Sequence, residues 1–256
     1  MKLAIIIPAY NEESLIEQCL THVMTEVRRS GIDADVVVVD NASTDRTAEI
    51  AAGFEGVRVV HEPQKGLVFA RAAGFAATSA EIVANVDADT MMPQGWIDRV
   101  MKEFARHPNL VALSGPYIYF DLALIPKVLI TSHQLAAYVI YLVNRFVLRI
   151  GSVVQGGNFV ILRSAWKKVG GFDKSITFYG EDTDVAVRLN QVGDVKWTFK
   201  LPMHSSGRRF TNEGFLRTSG YYILNYFAVT FAGKPATKDY TDIRPGTKKY
   251  TNARPD

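Results

Sequence analysis

Three short groups of residues carry types and spacings that could do chemistry. The first is Asp87-Ala88-Asp89, which closes the apolar run Ile82-Val83-Ala84-Asn85-Val86. Two carboxylates one residue apart form a compact oxygen site, suited to a hard divalent cation shared with a substrate diphosphate. The same pair also fits ordinary turn aspartates that end a strand. The second group, Glu181-Asp182, follows Gly180 and precedes Val185 and Leu189 at helical spacing. One of these carboxylates could take a proton from an attacking hydroxyl; both also suit the first turn of a helix, where the dipole favours negative charge. The third is Met203-His204-Ser205-Ser206-Gly207-Arg208-Arg209. His204 could contact a metal or a diphosphate, and Arg208 and Arg209 offer forked donors to phosphate oxygens. Gly156-Gly157 before Asn158 would let backbone approach a bound sugar. Gly170-Gly171 reads as a helix stop.

Positioning these groups requires strand ends. Short Val- and Ile-rich runs at 3–7, 36–39, 57–60, 82–86 and 110–113 predict buried strands. Between them lie helical patterns: one opened by Glu12 and Glu13 and running through Leu15 to Val27, one capped by Ser43-Thr44-Asp45, one over 66–78 and one over 96–104. This alternation predicts an α/β fold with a mostly parallel central sheet flanked by helices. Tyr10-Asn11, Asp40-Asn41 and Asp87/Asp89 then share one crevice at the carboxyl edge, which favours a nucleotide site. The Gly-x-Gly-x-x-Gly fingerprint and the Walker loop are both absent.

Composition narrows the class. With 256 residues, 48% hydrophobic and 21% charged, the chain can bury a substantial core. A lone cysteine, Cys19, excludes an internal disulfide framework and fits a reducing compartment. The short apolar run after Met1-Lys2, stopped by Pro8, is too brief for a secretory core, so a cytoplasmic protein is expected. Residues 1–110 hold 10 Lys/Arg against 16 Asp/Glu, and the remainder holds 19 against 10. The acidic part suits a cation; the basic part suits phosphates or an anionic surface. No nucleic-acid partner is expected, because the basic residues are scattered and no zinc-finger or RNP-type motif occurs. Segment 122–150 is apolar and aromatic, yet Thr131, Ser132, His133 and Gln134 interrupt it, which argues against a spanning helix. It reads either as a buried helix or as an interfacial one that brings the chain to the inner face of a membrane. In the interfacial case Tyr138, Tyr141 and Phe146 would be partly exposed, with Lys127, Arg145 and Arg149 at headgroup level. A second aromatic segment covers 215–231, and a polar tail with three prolines follows.

In order along the chain stand Pro8-Ala9-Tyr10-Asn11-Glu12-Glu13, Val39-Asp40-Asn41-Ala42-Ser43-Thr44-Asp45, Lys65-Gly66 with Ala70-Arg71-Ala72-Ala73-Gly74, Asp87-Ala88-Asp89, Gly156-Gly157-Asn158-Phe159, Gly170-Gly171-Phe172-Asp173 and Gly180-Glu181-Asp182-Thr183-Asp184. This series resembles the motifs of family-2 glycosyltransferases of the GT-A fold over roughly residues 1–210. The resemblance implies transfer from a nucleotide sugar, usually a UDP-sugar, to a hydroxyl acceptor, with inversion and a divalent metal, Mn²⁺ or Mg²⁺. It implies that Pro8, Ala9, Tyr10, Glu12, Asp40, Lys65, Arg71 and Asp87 bind the donor. Asp89 and His204 would hold the metal, and Asp182 would be the catalytic base. Gly157, Asn158, Glu181, Arg208 and Arg209 would serve the acceptor or diphosphate. The acceptor is a sugar or a lipid-linked group. Asn41, Ala73 and Thr90 depart from the commonest family pattern, which weakens donor identity. The expected organisation is one catalytic domain over 1–230, with a donor half to 115, an acceptor half with helical insertions, and a tail from 231. A non-catalytic nucleotide-sugar-binding module is the rival; a sugar-nucleotide pyrophosphorylase would need a Gly- and Arg-rich loop where Ala9-Tyr10-Asn11-Glu12 stands.

Overall fold

In the computed structural model, residues 1–148, 153–176, 178–237 and 242–243 are described. The first apolar run forms strand β1 (Leu3–Ala9), buried along its whole length. It is followed by α1 (Ile16–Ser30), β2 (Ala34–Asp40), α2 (Thr47–Ala52), β3 (Val57–His61), α3 (Leu67–Ala77), β4 (Ile82–Val86), β5 (Thr90–Met91), α4 (Trp96–Arg106), β6 (Leu110–Ser114) and β7 (Tyr117–Tyr119). Next come α5 (Leu124–Leu142), continued by a π-helical stretch (Val143–Leu148), then β8 (Asn158–Leu162), α6 (Arg163–Lys168) and α7 (Glu181–Leu189). β9 (Asp194–Trp197), β10 (Met203–Ser205), α8 (Arg208–Glu213) and α9 (Phe215–Ala232) complete the described elements.

Among the described residues the main sheet has seven strands in the order β3-β2-β1-β4-β8-β6-β9. β8 runs antiparallel to β4 and β6; the other pairings are parallel. Side chains alternate across the sheet. Leu3, Ile5 and Ile7 pack with Ile16, Leu20, Trp96 and Val100 on one face; Ile6, Val37 and Val39 pack with Val68, Phe75, Val185 and Leu189 on the other. α3 lies so close to the sheet that a Cβ at Gly74 would stand 2.3 Å from Ile6 Cγ2. A small sheet, β5-β10-β7, hangs beside the carboxyl edge of the main one.

Some boundaries differ from the sequence expectation. α1 starts at Ile16, not at Glu12, whose carbonyl instead accepts the Leu15 and Ile16 N–H groups. That frees the Glu12 side chain to reach away from the helix. α2 starts at Thr47 with Arg46 at its cap position, and Asp45 Oδ1, one residue earlier, accepts the Thr47 N–H at 3.0 Å. Within segment 122–150, the helix over 124–148 has both characters. Tyr141 is buried, and Tyr138 packs on Trp197 and Phe199, whereas Phe146 is 66% exposed. Arg145 does not stand free at a surface: it donates to the Val195 carbonyl and pairs with Asp194 at 3.3 Å. The Lys127 side chain and Arg149 lie outside the described residues, as does most of the tail beyond 237. No helix among the described residues is long and apolar enough to cross a membrane.

Candidate active site

β1, β2 and β4 end at one edge of the sheet, and antiparallel β8 begins there. The ends of the first three strands, the Gly156-Gly157 turn before β8 and the start of α7 therefore meet around one cleft of about 180 Å³. Pro8, Glu12, Arg71, Asp87, Asp89, Gly156, Glu181, Asp182, Arg208 and Arg209 line it. A narrower slot of about 50 Å³ adjoins it, walled by Pro8, Ala9, Tyr10, Asn41 and Lys65. Lys65 Nζ sits 3.6 Å above the Tyr10 ring.

Arg71 ties the two sides together. From α3, fully buried, it pairs with Glu181 of α7, donates to the Gly156 carbonyl at 2.6 Å and meets Asp87 Oδ1 at 3.3 Å. Burial works against the Arg71 charge, but Glu181 and Asp87 more than offset it and hold its pKa above the ordinary value. One guanidinium cannot compensate Asp87, Glu181 and Asp182 together. Burial therefore pushes the Glu181 carboxyl up to about 7, against the pull of Arg71 and with further help from Asp182. Burial also raises Asp182, with Arg71 opposing. Asp182 takes a hydrogen bond from the Thr183 N–H on Oδ1 at 2.7 Å. Its Oδ2 lies 3.5 Å from where a Cβ on Gly156 would be.

Asp87 also accepts a hydrogen bond from Tyr117 at 3.1 Å, and the Gly157 N–H donates to the same Tyr117 oxygen at 2.7 Å. A Cβ on Gly157 would lie 2.1 Å from Asp87 Cγ, so only glycine permits this approach. Asp89 meets the Arg208 Nε at 3.1 Å, and the same guanidinium reaches Glu12 at 2.5 Å. Burial opposes the Arg208 charge, while Asp89 and Glu12 outweigh it.

Among the described residues no cluster of three or more His, Cys, Asp or Glu could cage a metal by itself. The donor set instead suits an ion that arrives with a diphosphate: one or two carboxylates with room for phosphate oxygens and water, the usual way Mg²⁺ is held. Asp89 and Asp87 would supply those carboxylates; the Ser206 N–H donates to the Asp89 carbonyl at 3.1 Å, so Ser205 and Ser206 stand beside them.

Two of the expected contacts are corrected. Asn158 does not face a ligand: it is fully buried, accepts from Trp96 Nε1 at 3.1 Å and donates to the Gly115 and Leu201 carbonyls at 3.1 and 2.8 Å. Its role is to lock β8 to the neighbouring loops. His204 pairs through its backbone with Met91 and Ile118, and the cleft is lined by Ser205, at the end of β10, and by Ser206 just after it, not by His204. Asp40 is buried at the end of β2, with Oδ2 3.0 Å from His61 Nδ1. Asn41, a departure from the family pattern, shapes the Lys65 loop. Its side chain accepts from the Gly66 N–H and donates to the Glu62 and Gln64 carbonyls. Arg209 lies 4.6 Å over the Phe178 ring and pairs with Glu213.

An aromatic wall, which the sequence reading does not anticipate, completes the cleft. Tyr117, Tyr119, Phe178, Tyr179, Phe210 and Tyr222 all border it. The Tyr-x-Tyr spacing of β7, which puts both rings on one side of a strand, is the signal that could have found it. Beyond this wall opens an apolar groove of about 320 Å³ between α5 and α9, and Asp182 lines both spaces.

Comparison with known proteins agrees with this architecture. The dolichol-phosphate mannosyltransferase of Pyrococcus furiosus is 30% identical over 122 residues, which is 46% of this chain and 34% of that protein. The mannosyltransferase PcManGT of Pyrobaculum calidifontis, solved with GDP-Man and Mn²⁺, superposes with a TM-score of 0.68 at 20% identity, over 90% of this chain and 63% of that one. The glucosyl-3-phosphoglycerate synthase of Mycobacterium tuberculosis, solved with Mn²⁺, UDP-Glc and phosphoglyceric acid, gives 0.61 at 19% identity, over 97% and 86%. Both structures share the GT-A fold. The matched part spans less than half the length of the curated relatives. The profile of glycosyl transferase family 2 matches residues 4–170, more than half of the sequence, and the chain belongs to that family.

Proposed function

We propose that the chain is a metal-dependent, inverting glycosyltransferase that moves a sugar from a UDP-sugar to a hydroxyl acceptor. The observation that carries this reading is the place of Asp182, on the boundary between the polar cleft and the apolar groove. In this reading the nucleoside enters the slot of Pro8, Ala9, Tyr10 and Lys65, with Asp40 beneath it. The diphosphate lies against Asp87 and Asp89, with Arg208 and Arg209 beside it. The sugar then points toward Asp182. An acceptor hydroxyl coming from the groove loses its proton to Asp182 as its oxygen attacks the anomeric carbon, and the UDP leaves from the opposite side, so the configuration inverts. A carboxyl raised above its usual range is a better base than a fully solvated one. Mn²⁺ or Mg²⁺, when bound, would neutralise charge on the leaving phosphate. Arg71 holds Asp87 and the Gly156 carbonyl in place and takes no proton. The nucleotide sugars and Mn²⁺ bound in the structural neighbours support both donor class and metal. A donor half and an acceptor half within one domain, acting in the cytoplasm at a membrane face, complete the proposal.

The test is a thermal-shift screen of UDP- and GDP-sugars with and without Mn²⁺, followed by NMR of the product's anomeric configuration. A ligand at about 100 times its Kd adds about 2.7 kcal/mol of stability. Stabilisation by UDP-sugars only with Mn²⁺, and a product inverted relative to the donor, are expected. A retained configuration, or equal response without metal, would overturn the mechanism.

A further inference from the structure

The apolar groove is continuous with the cleft through Tyr119, Gln155, Gly180, Asp182, Phe210 and Tyr222. Away from Asp182 much of its wall is hydrocarbon, with Ile130, Ala137 and Ile140 from α5, Ile223 and Phe227 from α9, and Trp197; of its polar lining residues Gln134 donates to the Tyr117 carbonyl, Asn225 is bound to Tyr221 and Thr237, and Tyr226 to Asn144. At about 320 Å³ it falls at the small end of ligand sites, which run to roughly 1,000 Å³. A water-soluble sugar would leave hydroxyls without partners against the Ile, Ala and Phe side chains.

The surroundings of the groove match one kind of occupant. α5 with its π-helical continuation exposes Val128, Leu135, Val139, Phe146 and Val147. α9 shows Leu216, Ile223, Leu224, Phe227 and Phe231. The separations are 7, 4, 7 and 1 in the first set and 7, 1, 3 and 4 in the second, so each set falls mainly along one side of its helix. None of the residues in either helix is Asp or Glu; their charges are all Lys or Arg. A chain leaving the groove therefore meets further apolar surface and no carboxylate.

We infer that the acceptor is an amphiphile: a nucleophilic oxygen head placed at Asp182, joined to a hydrocarbon chain that lies in the groove between α5 and α9. This rests on the transferase reading of Asp182, but the groove can be tested without turnover.

Trp197 lines the groove, whereas Trp96 and Trp166 do not. Bromine on a bound chain would quench Trp197 fluorescence on contact. The probe is 12-bromododecyl phosphate below its micelle concentration, with the 12-bromododecyl β-glucoside as second head group and 3-bromopropyl phosphate as short control. The full chain is expected to show saturable quenching by one or both long probes and none by the short one. Unbrominated alkyl phosphates should compete, with affinity rising about fourfold per methylene, the ratio for burying one CH₂ at about 0.8 kcal/mol. Ala137→Phe should weaken the long probe at least tenfold while calorimetric binding of UDP with Mn²⁺ is retained, which also reports folding. No saturable quenching in the unaltered chain, affinity independent of chain length, or equal quenching in folded Ala137→Phe would each overturn the inference. Failure of UDP with Mn²⁺ to bind the unaltered chain, with the groove results intact, would overturn the transferase reading instead.

Discussion

Asp182 and Glu181 are neighbours with different surroundings. Asp182 faces the cleft and the groove; Glu181 is held under Arg71. Replacing Asp182 by Asn should leave the binding of UDP with Mn²⁺ unchanged and lower transfer by about 10²- to 10⁴-fold, the usual worth of a general base. Steady-state rates beside calorimetry check this, and a lost UDP affinity would assign Asp182 to the donor instead. Glu181 should shape stability. Its folded pKa of about 7 exceeds the unfolded value of 4.5. Between these values the folded chain binds more protons than the unfolded one. The stability from this carboxyl is thus complete below about pH 4.5 and is lost as pH rises through about 7, by up to about 3 kcal/mol. Urea midpoints across pH 4.5–8 should fall in the native chain and flatten in Glu181→Gln, whose amide oxygen still accepts from Arg71. A native curve that rises across that window would contradict the assignment.

At the scale of elements, α3 carries the hub residue and lies close to the sheet at Gly74. A methyl group there would collide with Ile6 Cγ2 at 2.3 Å and Val39 Cγ2 at 3.1 Å. Gly74→Ala is expected to cost about 1–3 kcal/mol, typical for overpacking, and to tilt Arg71 on the preceding turn. The measurements are the denaturation midpoint and the UDP affinity, which should fall together. Much of this layer is legible in the sequence. The Val- and Ile-rich runs end at Asp40 and Asp87, and such runs make buried parallel strands, whose carboxyl ends collect ligands. The helix starts are less legible. Glu12 looks like a first-turn acid, yet it serves Arg208, 196 residues away, and no local pattern encodes that pairing. Asn158 looks like a ligand contact because it follows two glycines; its three partners come from segments distant in sequence. The antiparallel direction of β8, which brings Gly156-Gly157 to the site, is likewise invisible to periodicity.

At the scale of the whole molecule, α5 and α9, which line the groove, also carry exposed apolar residues. With basic residues in excess over 111–256, this surface should adhere to anionic bilayers. Sedimentation with vesicles of phosphatidylglycerol and phosphatidylcholine at low salt should carry down the native chain and much less of Phe146→Ser/Phe231→Ser. Both rings are about two-thirds exposed, so the fold should tolerate the change. Tyr141, buried, is unsuitable for this comparison. Equal pelleting of both proteins, or none, would remove the membrane part of the proposal.

The two guanidinium clasps have a consequence for the order in which the chain is made. Glu12, Asp40, Asp87 and Asp89 leave the ribosome first, and Arg208, the cation that meets two of them, follows Glu12 by 196 positions. At 5–20 residues per second that interval is roughly 10 to 40 s. Glu181 likewise reaches Arg71 only 110 positions later. A nascent or truncated chain that ends before α7 thus carries the acidic half of the cleft without the groups that complete it, and in the proposed reading binding of UDP would report that synthesis has passed α8.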